Sequence, residues 1–184
     1  ERMFLLHGES KYIDCMERTL YNGVISGMSM DGGRFFYPNP LSSDGKYKFN
    51  ADGNTTRQPW FGCACCPSYL CRFIPSVPGY LYGVKDNNIY VNLFAGNTST
   101  IKVNGKDVVL EETTEYPWNG DIKIAVKKSG VKNANLLVRI PGWVRNQVVP
   151  SDLYKYSDAE KPAYTVTVNG KAVEADLDAN KGYL

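Results

Sequence analysis

The sequence predicts an α+β chain, with a helical first part (residues 1–78) and an all-β sandwich after it (residues 79–184). Three observations carry this reading. Apolar residues recur at three- and four-residue spacing between residues 10 and 28, the mark of one helical face. From Gly79 onward the pattern changes to period two. Asn104-Gly105, Asn119-Gly120 and Asn169-Gly170 then punctuate the second part, and both central residues of a type I′ hairpin turn need positive φ, which Asn and Gly tolerate best.

In chain order, Ser10 is read as an N-cap, and Tyr12, Ile13, Met16, Leu20, Val24 and Met28 form the apolar face of a helix that Gly23 and Gly27 weaken at its end. Glu9, Asp14 and Glu17 are read as its polar face, and His7 as a solvated loop residue. Asp31-Gly32-Gly33 is a turn, Arg34 to Tyr37 a short extended run, and residues 41 to 59 a long polar loop of the kind that carries function or mobility. Pro67 suits the first turn of a second helix, where its missing N–H costs little, and Leu70, Phe73, Ile74 and Val77 continue it. Strands are expected at Tyr80–Val84, Ile89–Phe94, Thr98–Val103, Lys106–Leu110, Thr113–Tyr116, Ile122–Val126, Leu136–Ile140 and Tyr164–Val168, with a polar insertion over 145–162. Many short strands separated by turns suit a sandwich.

Composition narrows the partners. Apolar residues make up 43% of the chain, enough for a core, and the net charge of +2 comes without a basic run, so nothing argues for nucleic acid. No apolar stretch approaches the roughly 20 residues that span a membrane. The chain opens at Glu1 without an initiator Met and closes on Gly182-Tyr183-Leu184, which reads as a strand beginning, so a piece of a longer protein is expected.

Cysteine distribution is the most informative local feature. Three of five cysteines fall in Trp60-Phe61-Gly62-Cys63-Ala64-Cys65-Cys66-Pro67-Ser68. Packing rarely needs thiols so close, and adjacent Cys65 and Cys66 reach disulfide geometry only under strain. The segment reads as a metal site, a reactive thiol or both, with inert buried thiols as the alternative. The start of the helix favours thiolates there through free N–H groups and the helix dipole. The C-x-C-C spacing differs from paired zinc knuckles, and with His7 the only histidine, at least one ligand of a four-coordinate zinc comes from elsewhere. Cys15 and Cys71 are read as buried apolar residues. Trp60 and Trp118 are read as core aromatics, with sugar stacking as the alternative, and Tyr37 is a candidate pocket residue.

Arg34-Phe35-Phe36-Tyr37-Pro38-Asn39-Pro40-Leu41, the cysteine segment, and Arg72-Phe73-Ile74-Pro75-Ser76-Val77-Pro78-Gly79-Tyr80-Leu81-Tyr82 together resemble glycoside hydrolase family 127, the beta-L-arabinofuranosidase family. Ile89-Tyr90-Val91-Asn92-Leu93-Phe94 and Leu137-Val138-Arg139-Ile140-Pro141-Gly142-Trp143 fit as well. The resemblance implies the end of an (α/α)6 barrel followed by a β-sandwich. It implies a zinc ion bound by three cysteines and a glutamate, with Cys65 as both ligand and nucleophile, Cys66 as a second ligand and Tyr37 lining the sugar pocket. Cys63 lies near the site without being a ligand in that pattern. The remaining ligands, a Glu-x-Cys pair, and the acid/base glutamate are expected upstream of residue 1, so the chain alone is expected to be inactive. Tyr69 stands where the family commonly has Asn. The implied partners are a carbohydrate substrate and the rest of the barrel, and an apolar barrel face left uncovered offers itself to another copy. Two other function classes stay open: a non-catalytic carbohydrate-binding or structural module using Trp118 or Trp143, and a thiol-redox or metal-storage role.

Overall fold

The computed structural model describes residues 1–50, 52–63, 65–158, 164–174 and 176–184, and the side chains of Cys66 and Pro67 stand outside that description. Helices and strands are mixed, and the residues fall into two units: Glu1–Cys15 with Gly79–Leu184, and Met16–Pro78. Residues 159–162 of the expected polar insertion lie outside the described set.

In the first unit, α1 (Arg2–His7) ends at Gly8, whose φ of 66° lets its N–H return to the Phe4 carbonyl at 2.7 Å. Phe4 is the buried residue of this short helix and sits edge-on to Tyr90, with ring centroids 5.5 Å apart. His7 closes α1 rather than lying in a loop, and its exposed ring faces Tyr12 at 5.6 Å. The next helix, α2 (Ser10–Thr19), contains the division between the units. Ser10 is its first residue and is buried, with its hydroxyl accepting from Arg145 at 3.1 Å, so it does not act as the expected N-cap.

The strands follow the period-two pattern. β1 (Tyr82–Lys85) pairs antiparallel with β2 (Asn88–Val91) through a turn at Asp86, which has φ 54°. β3 (Asn97–Val103) turns at Asn104-Gly105 (φ 48° and 77°) into β4 (Lys106–Thr114), and β5 (Ile122–Ser129) completes that sheet. β6 (Asn135–Val138) runs parallel to β2, matching Ile89 with Leu136 and Val91 with Val138. Parallel neighbours need a long crossover, and here the β3-β4-β5 sheet lies within it. β7 (Thr167–Val168) and β8 (Lys171–Ala172) form a small hairpin on Asn169-Gly170, at φ 51° and 79°. Two expected strands, 106–110 and 113–116, merge into β4, and β8 was not anticipated.

Alternation explains the core. Ile101 and Val103 on β3 and Val108 and Leu110 on β4 share an inward face and pack with Ile89 of β2, so both three-stranded sheets contribute to one buried cluster. Glu112 lies two residues beyond Leu110 on β4 and is therefore buried as well. The chain end returns to this unit: Val138 and Leu184 exchange backbone hydrogen bonds of 2.8 and 2.9 Å, and Tyr183 is buried.

One expected turn differs. Neither Asn119 nor Gly120 adopts positive φ. The N–H groups of Trp118 and Asn119 instead converge on the Glu115 carbonyl, and the Asn119 side chain accepts the Asp121 N–H at 2.9 Å. The β4–β5 connection is thus a longer loop held by local polar contacts.

A buried polar cluster ties α2 to the strands of its own unit. Arg139, just after β6, has a fully buried side chain and donates to Asp14 at 2.6 Å and to the Asn92 carbonyl at 2.5 Å. Gly142 N–H also donates to Asp14, at 3.1 Å, and Tyr183 donates to Asn92 Oδ1 at 2.7 Å. Asp14 therefore does not face solvent as expected. Glu17 is buried too. At 100° per residue, positions 13 and 17 lie on nearly the same side of a helix, so Glu17 follows Ile13 inward.

In the unit Met16–Pro78, α2 runs into a π turn (Leu20–Val24) and a 3₁₀ turn (Ile25–Gly27). Phe35 forms isolated bridges with Met28 and Gln58. Arg57 anchors the long loop, donating to the Ser26 and Gly27 carbonyls at 2.7 and 3.1 Å while its guanidinium lies 4.3 Å from the Phe36 ring centroid. Buried Asn50 accepts from Tyr37 N–H and donates to the Thr56 carbonyl. These contacts deliver the chain to α3 (Cys65–Phe73), which passes into 3₁₀ turns over Ile74–Tyr80.

Candidate active site

The cysteines sit at a helix start because two local features agree. Gly62 and Cys63 lie in irregular chain, and Pro67 pre-sets a helical φ without needing an N–H partner. The helix begins at Cys65, two residues before Pro67, so Cys65 and Cys66 occupy its first turn rather than the approach to it. The Ser68 hydroxyl donates back to the Cys65 carbonyl at 2.8 Å. Below this turn, buried Phe61 packs edge-on against Phe35 and Tyr37, at 5.3 and 5.5 Å between centroids. That aromatic trio fixes where Tyr37 points.

Tyr37 and Cys65 come together although 28 residues separate them: the phenol oxygen stands 2.8 Å from the Cys65 sulfur. Cys63 donates to the same sulfur at 3.4 Å. All three are thus one group on the surface of their unit, and both sulfurs are exposed thiols. Hydrogen bonding draws the Cys63 thiol down to about 7, first from the Tyr37 hydroxyl, then from the Cys65 backbone N–H and thiol. Donors aimed at sulfur favour thiolate, the nucleophilic and metal-binding form.

The group fits zinc in kind and only partly in number. The Cys65 sulfur is an exposed thiol, the donor type zinc favours, and Cys63, expected beside the site without being a ligand, places its sulfur 3.4 Å away. Among the described residues, however, no three His, Cys, Asp or Glu side chains gather as a metal site. The side chain of Cys66, the second expected ligand, lies outside the described residues.

Several expectations for single residues are corrected. Cys15 and Cys71 are exposed thiols, not buried apolar groups. Cys15 lies about 200° around α2 from Ile13, on the opposite face. Cys71 is similarly turned away from Leu70 and Phe73, which form the partly buried side of α3. Trp60 and Trp118 are exposed rather than core, at 60% and 87%. The polar cluster of Arg139, Asp14 and Asn92 was missed, although an arginine inside the apolar run Leu136–Ile140 is a visible signal that strand chemistry demands a buried partner.

Two family models cover nearly all of the chain. The Beta-L-arabinofuranosidase, GH127 catalytic domain matches residues 1–79, and the Beta-L-arabinofuranosidase, GH127 middle domain matches residues 88–184. The chain belongs to the GH127 beta-L-arabinofuranosidase family. This GH127 chain is 30% identical to the non-reducing end beta-L-arabinofuranosidase of Bifidobacterium longum subsp. longum, over the whole of this chain and 26% of the relative. Among solved structures it is similar to a GH127 beta-arabinofuranosidase, with TM-score 0.88 and 57% identity, covering 100% of this chain and 27% of the other. It is also similar to a GH127 beta-L-arabinofuranosidase from Geobacillus stearothermophilus, with TM-score 0.75 and 36% identity, covering 99% of this chain and 26% of the other. The GH127 chain thus spans about a quarter of the length of these relatives. No helix among the described residues is long and apolar enough to cross a membrane.

Proposed function

We propose that this GH127 chain is the end of an (α/α)6 catalytic barrel plus the following β-sandwich of a retaining glycoside hydrolase, acting on beta-L-arabinofuranosides or related sugars. Membership in the family supports the glycosidase class. The observation that supports the site is the Cys65 sulfur, exposed at the first turn of α3 with the Tyr37 hydroxyl 2.8 Å away.

Cys65, with Cys66, is the part of a zinc site that this chain offers, and the other donors belong to the rest of the parent protein. Zinc, when bound, supplies the positive charge that keeps a coordinated thiol deprotonated at neutral pH. The Cys65 thiolate attacks the anomeric carbon, forming a C–S bond as the glycosidic C–O bond breaks. A carboxylic acid from outside this chain gives its proton to the leaving oxygen. The resulting carboxylate then takes a proton from water, whose oxygen displaces sulfur, and two inversions leave the configuration retained. Tyr37 lines the sugar pocket, and its hydroxyl orients the sulfur.

Turnover of an aryl beta-L-arabinofuranoside tests the reading. The parent enzyme is expected to hydrolyse it and Cys65→Ser to lose that activity, while the 184-residue chain alone stays inactive for want of the acid/base group. A Cys65→Ser parent with full turnover overturns the assignment. A second reading, glycan binding by the strand unit, is favoured by the exposure of Trp118. Binding that survives loss of the three clustered cysteines but not Trp118→Ala would select it.

A further inference from the structure

We infer that Cys63 and Cys65 form an oxidation site, a thiol pair that a peroxide closes into a reversible disulfide. Three observations support the pair. Their sulfurs are 3.4 Å apart. Forming a bond of about 2.05 Å asks for a further approach of only about 1.4 Å, within reach of side-chain rotation. Both thiols are exposed, so a small oxidant reaches them without any opening of the fold. The Tyr37 hydroxyl lies 2.8 Å from the Cys65 sulfur, so both groups stand beside the same atom.

The other thiols compete poorly. Cys66 adjoins Cys65, and a bond between neighbours in sequence carries the larger strain. Cys71 follows Cys65 by six positions on the same helix, about 9 Å along the axis.

The chemistry balances with hydrogen peroxide as the oxidant. One thiol, as its thiolate, attacks a peroxide oxygen; the O–O bond breaks, the sulfur becomes a sulfenic acid, and the departing hydroxide takes up the thiol proton as water. The second sulfur attacks the sulfenic sulfur; the S–S bond forms, the S–O bond breaks, and the released hydroxide leaves with the second thiol proton as another water. Two thiols and one peroxide become one disulfide and two waters, the two electrons passing from sulfur to oxygen. A small dithiol reductant reverses the change by exchange, aided by the strain of so short a loop. The consequence for catalysis, a silenced nucleophile, rests on the function proposed above; the oxidation itself does not.

The 184-residue chain is treated with hydrogen peroxide, alkylated with iodoacetamide and weighed intact. Two of the five thiols are expected to escape alkylation, with a mass lower by two hydrogens and full recovery after dithiothreitol. The loss is expected to persist in Cys15→Ser, Cys66→Ser and Cys71→Ser, and to vanish in Cys63→Ser and Cys65→Ser. Fragmentation of the wild-type peptide, which needs no variant to fold, is expected to place the link between Cys63 and Cys65. A link through Cys66, a disulfide-bonded dimer, added oxygen without loss of two hydrogens, or five alkylatable thiols after peroxide each overturns the proposal. Because the readout is mass, failure here is distinct from failure of the glycosidase reading, which only turnover by the parent reports.

Discussion

Arg139, with no side-chain exposure, donates to the Asp14 carboxylate at 2.6 Å across 125 positions of sequence. The pair joins the end of β6 to the first turns of α2, and the carboxylate also accepts the Gly142 N–H and has the Arg145 guanidinium 3.7 Å away. A buried ion pair adds little net stability over an apolar replacement, but breaking one half leaves an uncompensated charge. Asp14→Ala is therefore expected to cost about 3–5 kcal/mol, read as a lower urea midpoint with an unchanged m-value. Asp14→Asn, which keeps one acceptor, is expected to cost less. Equal midpoints for wild type and Asp14→Ala would sink this account.

Glu112 sets a pH dependence. Burial pushes its carboxyl up to about 7, and hydrogen bonds from Tyr82, the Ala95 N–H and Asn97 offset this only in part. The folded state therefore holds a proton that the unfolded state, titrating near 4.5, has already released. Stability from this group is greatest below pH 4.5 and declines as pH rises through about 7, by up to about 3 kcal/mol. Glu112→Gln is expected to flatten that decline, measured as the difference in urea midpoints between pH 5 and pH 8. A variant with the wild-type slope contradicts the assignment.

Tyr37 carries a kinetic expectation. Its hydroxyl lies 2.8 Å from the sulfur of Cys65. Hydrogen bonds to charged groups contribute about 1.5–3 kcal/mol, so Tyr37→Phe in the parent enzyme is expected to lower kcat/KM by about ten- to a hundredfold. If the hydroxyl orients the nucleophile, part of the loss appears in kcat; a change confined to KM would assign Tyr37 to sugar binding alone.

Gly182 stands at φ 86°, and a Cβ there would run into the buried hydroxyl of Ser10. Gly182→Ala combines a left-handed backbone with a steric clash in the Ser10–Arg145 contact, and is expected to cost about 2 kcal/mol or more. Thermal unfolding of the variant checks it, and an unchanged Tm refutes it.

How much was legible in the sequence varies with the range of the forces involved. The Asn104-Gly105 and Asn169-Gly170 turns were readable because positive φ is a property of the residues themselves. The same dipeptide at Asn119-Gly120 misled, because carbonyl and side-chain contacts from Glu115 and Asn119 hold that loop in another conformation. The apolar spacing of α2 located the helix but misassigned Asp14 and Glu17: Asp14 takes its partner from outside the helix, at Arg139, and Glu17 is buried.

By itself, the amino-acid order determined where α2 and most strands begin, where two of the three expected tight turns fall, and that three thiols crowd the start of α3. Those outcomes depend on neighbours within a few residues, where backbone geometry and proline or glycine stereochemistry decide. Only the tertiary structure decided that Tyr37 meets Cys65, that Arg139 takes Asp14 as its partner, and that Cys15 and Cys71 face outward. Each of these depends on which surfaces are removed from water when distant segments pack, and burial is a property of the folded chain rather than of any one stretch of it.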